Sequence, residues 1–107
     1  SSIVCVAPPT DPDDLYDIPT PEDVRAFLID ASVGYSFRRG TWHSLDRYIQ
    51  NDVGATFLIL NSSPNPTQLV NYRTGTGFIS KDLGIDSNPR ILKYNNMSTI
   101  EFKIEGV

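Results

Sequence analysis

The sequence has only one cysteine, one histidine and one tryptophan, and it has no long apolar run. A lone Cys5 cannot form a disulfide within the chain, and its apolar neighbours favour a buried small side chain over a reactive thiol. We therefore expect a cytoplasmic protein. Because no apolar run approaches the ~20 residues of a membrane-spanning helix, we also expect a soluble chain without membrane contact.

Basic residues are also few, since nine of them stand against 13 acidic residues and leave a formal net charge of -4. Nucleic-acid binders usually show the opposite balance, so we expect no nucleic-acid partner. The charges are unevenly placed. Acids crowd the N-terminal quarter, whereas Arg38, Arg39 and Arg47 flank His43, the single histidine. Positive charge is thus concentrated around the one imidazole.

The 107 residues, 39% of them hydrophobic, suit one domain with a core of its own. Short runs of β-branched and aromatic residues are separated by loops rich in proline and glycine, which predicts an all-β sandwich or barrel. Strands are predicted at residues 3–7, 24–29 and 56–60, and the last of these is the clearest core strand. The signals Thr20 and Pro21 predict a short helix of about one turn.

Later in the chain the signals are weaker. A strand is expected at residues 68–73, a turn at residues 74–77, and two further strands at residues 91–94 and 99–104, joined by a polar turn. Residues 34–38 alternate aromatic and polar side chains, so Tyr35 and Phe37 should point one way and Arg38 the other. A turn at Arg39 and Gly40 follows, and residues 37–43 are the segment expected to face a ligand.

The segments VCVAPP (residues 4–9), VRAFL (24–28) and GYSFRRGTWH (34–43) resemble the ureidoglycolate lyase family. The resemblance extends from about residue 3 to residue 60. It implies a cupin-like double-stranded β-helix, a jelly-roll barrel that is incomplete or completed by another segment or subunit. On this interpretation residues 1–107 are one cupin-like β domain, and residues 72–107 are a divergent C-terminal extension.

The resemblance implies an enzyme, a carbon–nitrogen lyase of purine metabolism that splits ureidoglycolate, or a relative acting on another small hydroxy acid. It implies a dimer and a small carboxylate substrate. His43 is then the candidate catalytic residue, and the candidate substrate-binding residues are Arg38, Arg39, Trp42 and Tyr35.

The chemistry of these residue types fits that reaction. Cleaving a carbinolamine needs a base, an acid and a cation for the carboxylate, and the imidazole of His43 could serve as the base or the acid. Arg38 or Arg39 could hold the carboxylate bidentately. The alternative for each is structural: a hydrogen-bonded histidine, solvated arginines, and Trp42 as a core aromatic.

The family follows Trp-His with a second histidine and a proline, whereas this chain has Ser44 and Leu45. One histidine cannot build a cupin metal site, so no cofactor is predicted, and a divalent metal would need ligands from outside this chain. The alternative function is a non-catalytic cupin-like binding or structural domain, or one chain of a processed or two-chain enzyme. The start at Ser1 suits that alternative. A homodimer or a second chain would complete the barrel.

Overall fold

The computed structural model describes residues 1–95 and residue 100, and in that part of the chain it has seven β-strands and no α-helix. The strands form two antiparallel sheets, which confirms the all-β fold class. Neither sheet closes into a barrel within the described ranges, and the cupin-like arrangement stays a prediction. The strands are β1 Ser2–Ala7, β2 Arg25–Ile29, β3 Trp42–His43, β4 Tyr48–Ile49, β5 Thr67–Asn71, β6 Thr76–Ser80 and β7 Arg90–Lys93.

The chain separates into two compact units between Thr56 and Phe57. The first unit contains β1 to β4, and the second contains β5 to β7. The expectation of one domain over residues 1–107 stays a prediction. No helix in the described part of the chain is long and apolar enough to cross a membrane.

Strand β1 is the centre of the first unit. It pairs with β2 along one edge, from Ser2 opposite Ile29 to Val6 opposite Arg25. Its other edge is shared by β3 and β4. Ile3 and Val4, near the middle of β1, are 4% and 2% exposed. The predicted strands at residues 3–7 and 24–29 are confirmed, and Cys5 is buried as expected.

The edge formed by β3 and β4 is interrupted. Between the pairs Val6–His43 and Ile3–Tyr48, β1 has two residues and the opposite segment has four, residues 44–47. The two extra residues form a bulge, which bends a strand and re-aims its side chains. Hydrogen bonds continue through it: Ser44 N donates to Cys5 O at 2.8 Å, and Cys5 N donates to Ser44 Oγ at 3.1 Å.

The second unit is a β5–β6–β7 meander. Residues 72–75 form the turn between β5 and β6, with Gly75 at a φ of 71° and its N–H donating to Asn71 O at 2.9 Å. The strands predicted at residues 68–73 and 91–94 are confirmed with shifted ends. Strand β6 is not predicted by the sequence pattern, because the expected turn at residues 74–77 covers its first two positions.

The prediction of a core strand at residues 56–60 is wrong. These residues have no strand, and Leu58 and Leu60 are 89% and 87% exposed. Strand propensity reflects packing against a paired neighbour, and no described strand pairs with this run. The expected strand at residues 99–104 lies outside the described residues except for Ile100.

Two shorter predictions have mixed outcomes. Residues 34–38 form no strand, although their side-chain alternation suggested extended pairing. The short helix is confirmed as a single 3₁₀ turn, Pro21–Asp23. Thr20 begins it, donating from its backbone N and Oγ1 to Asp23 Oδ2 at 3.2 and 2.9 Å.

Candidate functional site

The residues expected to face a ligand lie on and beside β3. His43 is opposite Val6, and Trp42 is opposite Ala7. Neighbouring residues of a strand project from opposite faces, so the structure does not bring the two side chains to one face. His43 is exposed, whereas Trp42 is half-buried and donates from Nε1 to Thr10 Oγ1 at 3.0 Å. Trp42 therefore ties the proline-rich loop to the sheet.

The imidazole of His43 is held by an aromatic cluster. Its ring stacks on Phe37, with centroids 4.3 Å apart and an interplanar angle of 11°. Phe37 in turn meets Tyr35 edge-on at 5.4 Å between centroids. Tyr35 and Phe37 are thus in contact, although no strand holds them. The contact fixes one face of the imidazole and leaves the residue exposed.

Arg47 completes this cluster, and the sequence-based site omitted it. Its Nε donates to Tyr35 Oη at 2.7 Å, and its Nη1 donates to Ser44 O at 2.6 Å. The guanidinium carbon lies 5.9 Å from the centroid of Phe37, within range of a cation–π contact. The only signal in the sequence is its nearness to His43, because the bulge that places Arg47 beside Tyr35 has no sequence signature.

Arg38 and Arg39 lie in the turn that precedes β3. Thr41 N donates to Arg38 O at 3.0 Å, and Gly40 has a φ of 82°, in the left-handed region that favours glycine. This confirms the predicted turn. Both arginines are exposed, and neither guanidinium has a hydrogen-bond partner among the residues that the structure describes. Their donors are therefore available to a ligand.

A shallow depression of about 360 Å³ opens beside Thr41 on the first unit. Directly opposite residues of antiparallel strands share a face, so Arg25, Val6 and His43 project from the same side of the sheet. His43 stands next to the depression and is not part of its lining. The lining residues are Val6, Ala7, Pro8, Asp23, Arg25, Phe27 and Thr41.

The lining includes an arginine and an aspartate that the sequence-based site did not contain. The sequence pattern predicts only a short helix and a strand in this region, which gives no sign that Asp23 and Arg25 share a depression. Across residues 1–95 and residue 100, no group of three or more His, Cys, Asp or Glu side chains is placed to hold a metal ion. No protein-family model, curated protein or solved structure matches this chain.

Proposed function

We propose that the first unit binds a small carboxylate on the face around His43 and cleaves it in the manner of ureidoglycolate lyase. The single observation that carries the proposal is the parallel stacking of His43 on Phe37 beside a turn whose two guanidiniums, those of Arg38 and Arg39, have no hydrogen-bond partner among the described residues. A cupin-like fold, a cytoplasmic location and dimer formation belong to the same proposal.

The surroundings of His43 suit a proton carrier. Nδ1 lies 3.4 Å from Thr41 O, and a carbonyl oxygen on that side favours the tautomer with its proton on Nδ1. The lone pair on Nε2 is then the basic site. Stacking on Phe37 holds the ring in one orientation, so a bound substrate meets Nε2 from a constant direction.

The reaction needs a proton to leave one atom and arrive at another. Nε2 of His43 takes the proton of the carbinolamine hydroxyl, the C–O bond becomes the carbonyl of glyoxylate, and the C–N bond breaks. The leaving nitrogen accepts a proton to form urea. The ring contacts of His43 in the described structure include no carboxylate and no second imidazole. We therefore assign both transfers to His43, as base and then as acid.

A non-catalytic binding domain is the second candidate. Two observations favour it. Among the described residues, His43 contacts no second titratable side chain that could share the proton transfers. Arg47 is also already engaged in a hydrogen bond to Tyr35. Such a domain would bind the same carboxylates and release them unchanged.

The test follows glyoxylate release from ureidoglycolate by the wild type, His43→Ala and Arg73→Ala. We expect His43→Ala to lower kcat by about 10²- to 10⁴-fold, the usual contribution of a general acid–base group. Arg73, in the turn of the second unit, should be replaceable without effect.

Equal rates for the wild type and His43→Ala would remove the proposed role of His43. Binding of a carboxylate without any glyoxylate release by the wild type would establish the non-catalytic alternative. The fluorescence of Trp42, beside the substitution, reports whether the variant keeps its fold.

A further inference from the structure

We propose that Arg25 holds the carboxylate in the depression beside Thr41, and that Asp23 makes this depression select carboxylates that also carry an N–H donor. The inference rests on the proposed function for the identity of the substrate. Its binding step is separate from catalysis and is tested without turnover.

The guanidinium of Arg25 is fixed before any ligand arrives. Its Nη1 donates to Glu22 O at 2.7 Å and to Val24 O at 3.0 Å. A guanidinium has five N–H donors, so those on Nη2 and Nε remain. No described residue accepts from them. Nη2 and Nε form one edge of the fork, the geometry that receives a carboxylate bidentately.

This anchoring distinguishes Arg25 from the two arginines of the turn. Arg38 and Arg39 have no described hydrogen bonds to hold their side chains, so a ligand would have to order the whole side chain on binding. Arg25 needs less ordering because its far end is already fixed on the backbone. The cost of binding a carboxylate is therefore lowest at Arg25.

The floor of the depression is apolar. Val6 is directly opposite Arg25, and Phe27 lies two residues further along β2, so all three project from one face. Phe27 is 52% exposed, and Val6 is half-buried. Pro8 and Thr41 border the space. The carbon skeleton of a small acid would cover the exposed ring while its carboxylate meets Arg25.

Asp23 provides the second polar contact. Its Oδ2 accepts from the backbone N and the Oγ1 of Thr20, which fixes the carboxyl group. Its Oδ1 has no hydrogen-bond partner among the described residues. An N–H group on the ligand would pair with Oδ1, whereas a ligand oxygen that carries no hydrogen would be repelled there. The depression thus fits a carboxylate that bears an amino, amide or ureido group.

The position relative to His43 links this depression to the proposed reaction. Arg25, Val6 and His43 form one row across three adjacent strands. Strands in a sheet are ~4.8 Å apart, so the Cα atoms of Arg25 and His43 are separated by roughly 10 Å. A small acid held at Arg25 extends past Thr41 toward the imidazole.

The experiment is an NMR titration of the full chain with three probes. N-carbamoylglycine has a carboxylate and ureido N–H donors but no hydroxyl to react. Levulinate has the same number of heavy atoms and no N–H donor, and the amide of N-carbamoylglycine has no carboxylate. We expect N-carbamoylglycine to shift the amide signals of Arg25 and Thr41, and both other probes to bind about tenfold more weakly or worse.

Substitutions assign the two contacts. Arg25→Gln should weaken the binding of N-carbamoylglycine about tenfold or more. Arg25→Lys should lose less affinity, because lysine keeps the positive charge but lacks the bidentate geometry of the guanidinium. Arg73→Gln is the matched control and should change nothing. Asp23→Asn keeps an acceptor for Thr20 and should abolish most of the preference for N-carbamoylglycine over levulinate.

Several results would overturn the inference. One is unchanged affinity in Arg25→Gln with the remaining spectrum intact. Another is a loss of affinity confined to Arg38→Gln or Arg39→Gln, which would leave the proposed function standing and move the carboxylate to the turn. A third is no binding of N-carbamoylglycine to the wild type. Tight binding at Arg25 without glyoxylate release would instead contradict only the proposed function.

Discussion

Gly77 occupies a position in β6 where no side chain fits. A Cβ atom there would overlap the carbonyl oxygen of Leu69 and lie 3.2 Å from Cε2 of Tyr94. Tyr94 is buried and accepts a hydrogen bond from Gln68 Nε2 at 2.8 Å. The backbone obstacle cannot rotate away, so the close approach of two strands depends on this glycine.

We expect Gly77→Ala to lower the free energy of unfolding by about 1–3 kcal/mol, the usual cost of overpacking. Urea denaturation followed by circular dichroism measures the change. Gly34→Ala is the matched control, because a Cβ at Gly34 meets no atom within 4 Å. If both variants unfold at the same urea concentration, the close contact at Gly77 does not control the stability of the fold.

Only some of the contacts in the candidate site could be predicted from the sequence. The alternation at residues 34–38 predicts that Tyr35 and Phe37 point one way but not that their rings touch, and the parity of a strand separates Trp42 from His43. The contacts of Arg47 could not be predicted, because they depend on two inserted residues that only the pairing with β1 reveals. The placement of Arg25 opposite Val6 could not be predicted for a similar reason, because the two residues are far apart in the sequence.

At the scale of elements, the sequence pattern locates those strands that carry their own apolar run. Strands β1, β2, β5 and β7 are of this kind. Strands β3 and β4 have two residues each and exist only as partners of β1, so no local pattern predicts them. The run at residues 56–60 shows the reverse case: its composition favours a strand, but strand formation also needs an open edge to pair with.

A pair of identical substitutions tests this interpretation of residues 56–60. Leu58→Ala should change the free energy of unfolding by no more than ~0.5 kcal/mol, because the side chain is exposed. Leu92→Ala, in β7, should cost about 2–5 kcal/mol, because Leu92 is 2% exposed and its removal leaves a cavity. Thermal or urea unfolding measures both. A large loss of unfolding free energy in Leu58→Ala would instead support the predicted core strand at residues 56–60.

For the whole molecule, charge and exposed apolar surface act together. The net charge of -4 keeps copies apart near neutral pH, and this repulsion vanishes near the isoelectric point of about 4.7. Residues 57–60 are an exposed, uncharged run with high strand propensity, the pattern of an aggregation-prone segment, and near this pH no net repulsion opposes their contact between copies. Association between copies should therefore be greatest in mildly acidic solution.

We expect turbidity to be highest near pH 4.7 and to be reduced more by Leu58→Lys than by Leu45→Lys. Both substitutions add one positive charge at an exposed leucine, so they move the isoelectric point equally. Only Leu58→Lys interrupts the apolar run, because Leu45 stands outside it. Light scattering across pH 4 to 6, measured for each variant about its own isoelectric point, compares them. Equal reductions would show that charge alone controls association.

The central position of β1 also sets an order of events in folding. β1 is the first strand of the chain, yet its partners are β2 on one edge and β3 and β4 on the other, and β4 ends at Ile49. Pairing β1 with these later strands closes long loops, and that closure costs conformational entropy before the pairing contributes any free energy. The β5–β6 hairpin closes through a turn of four residues, 72–75. Topology of this kind makes the hairpin the faster structure to form and β1 the rate-limiting one.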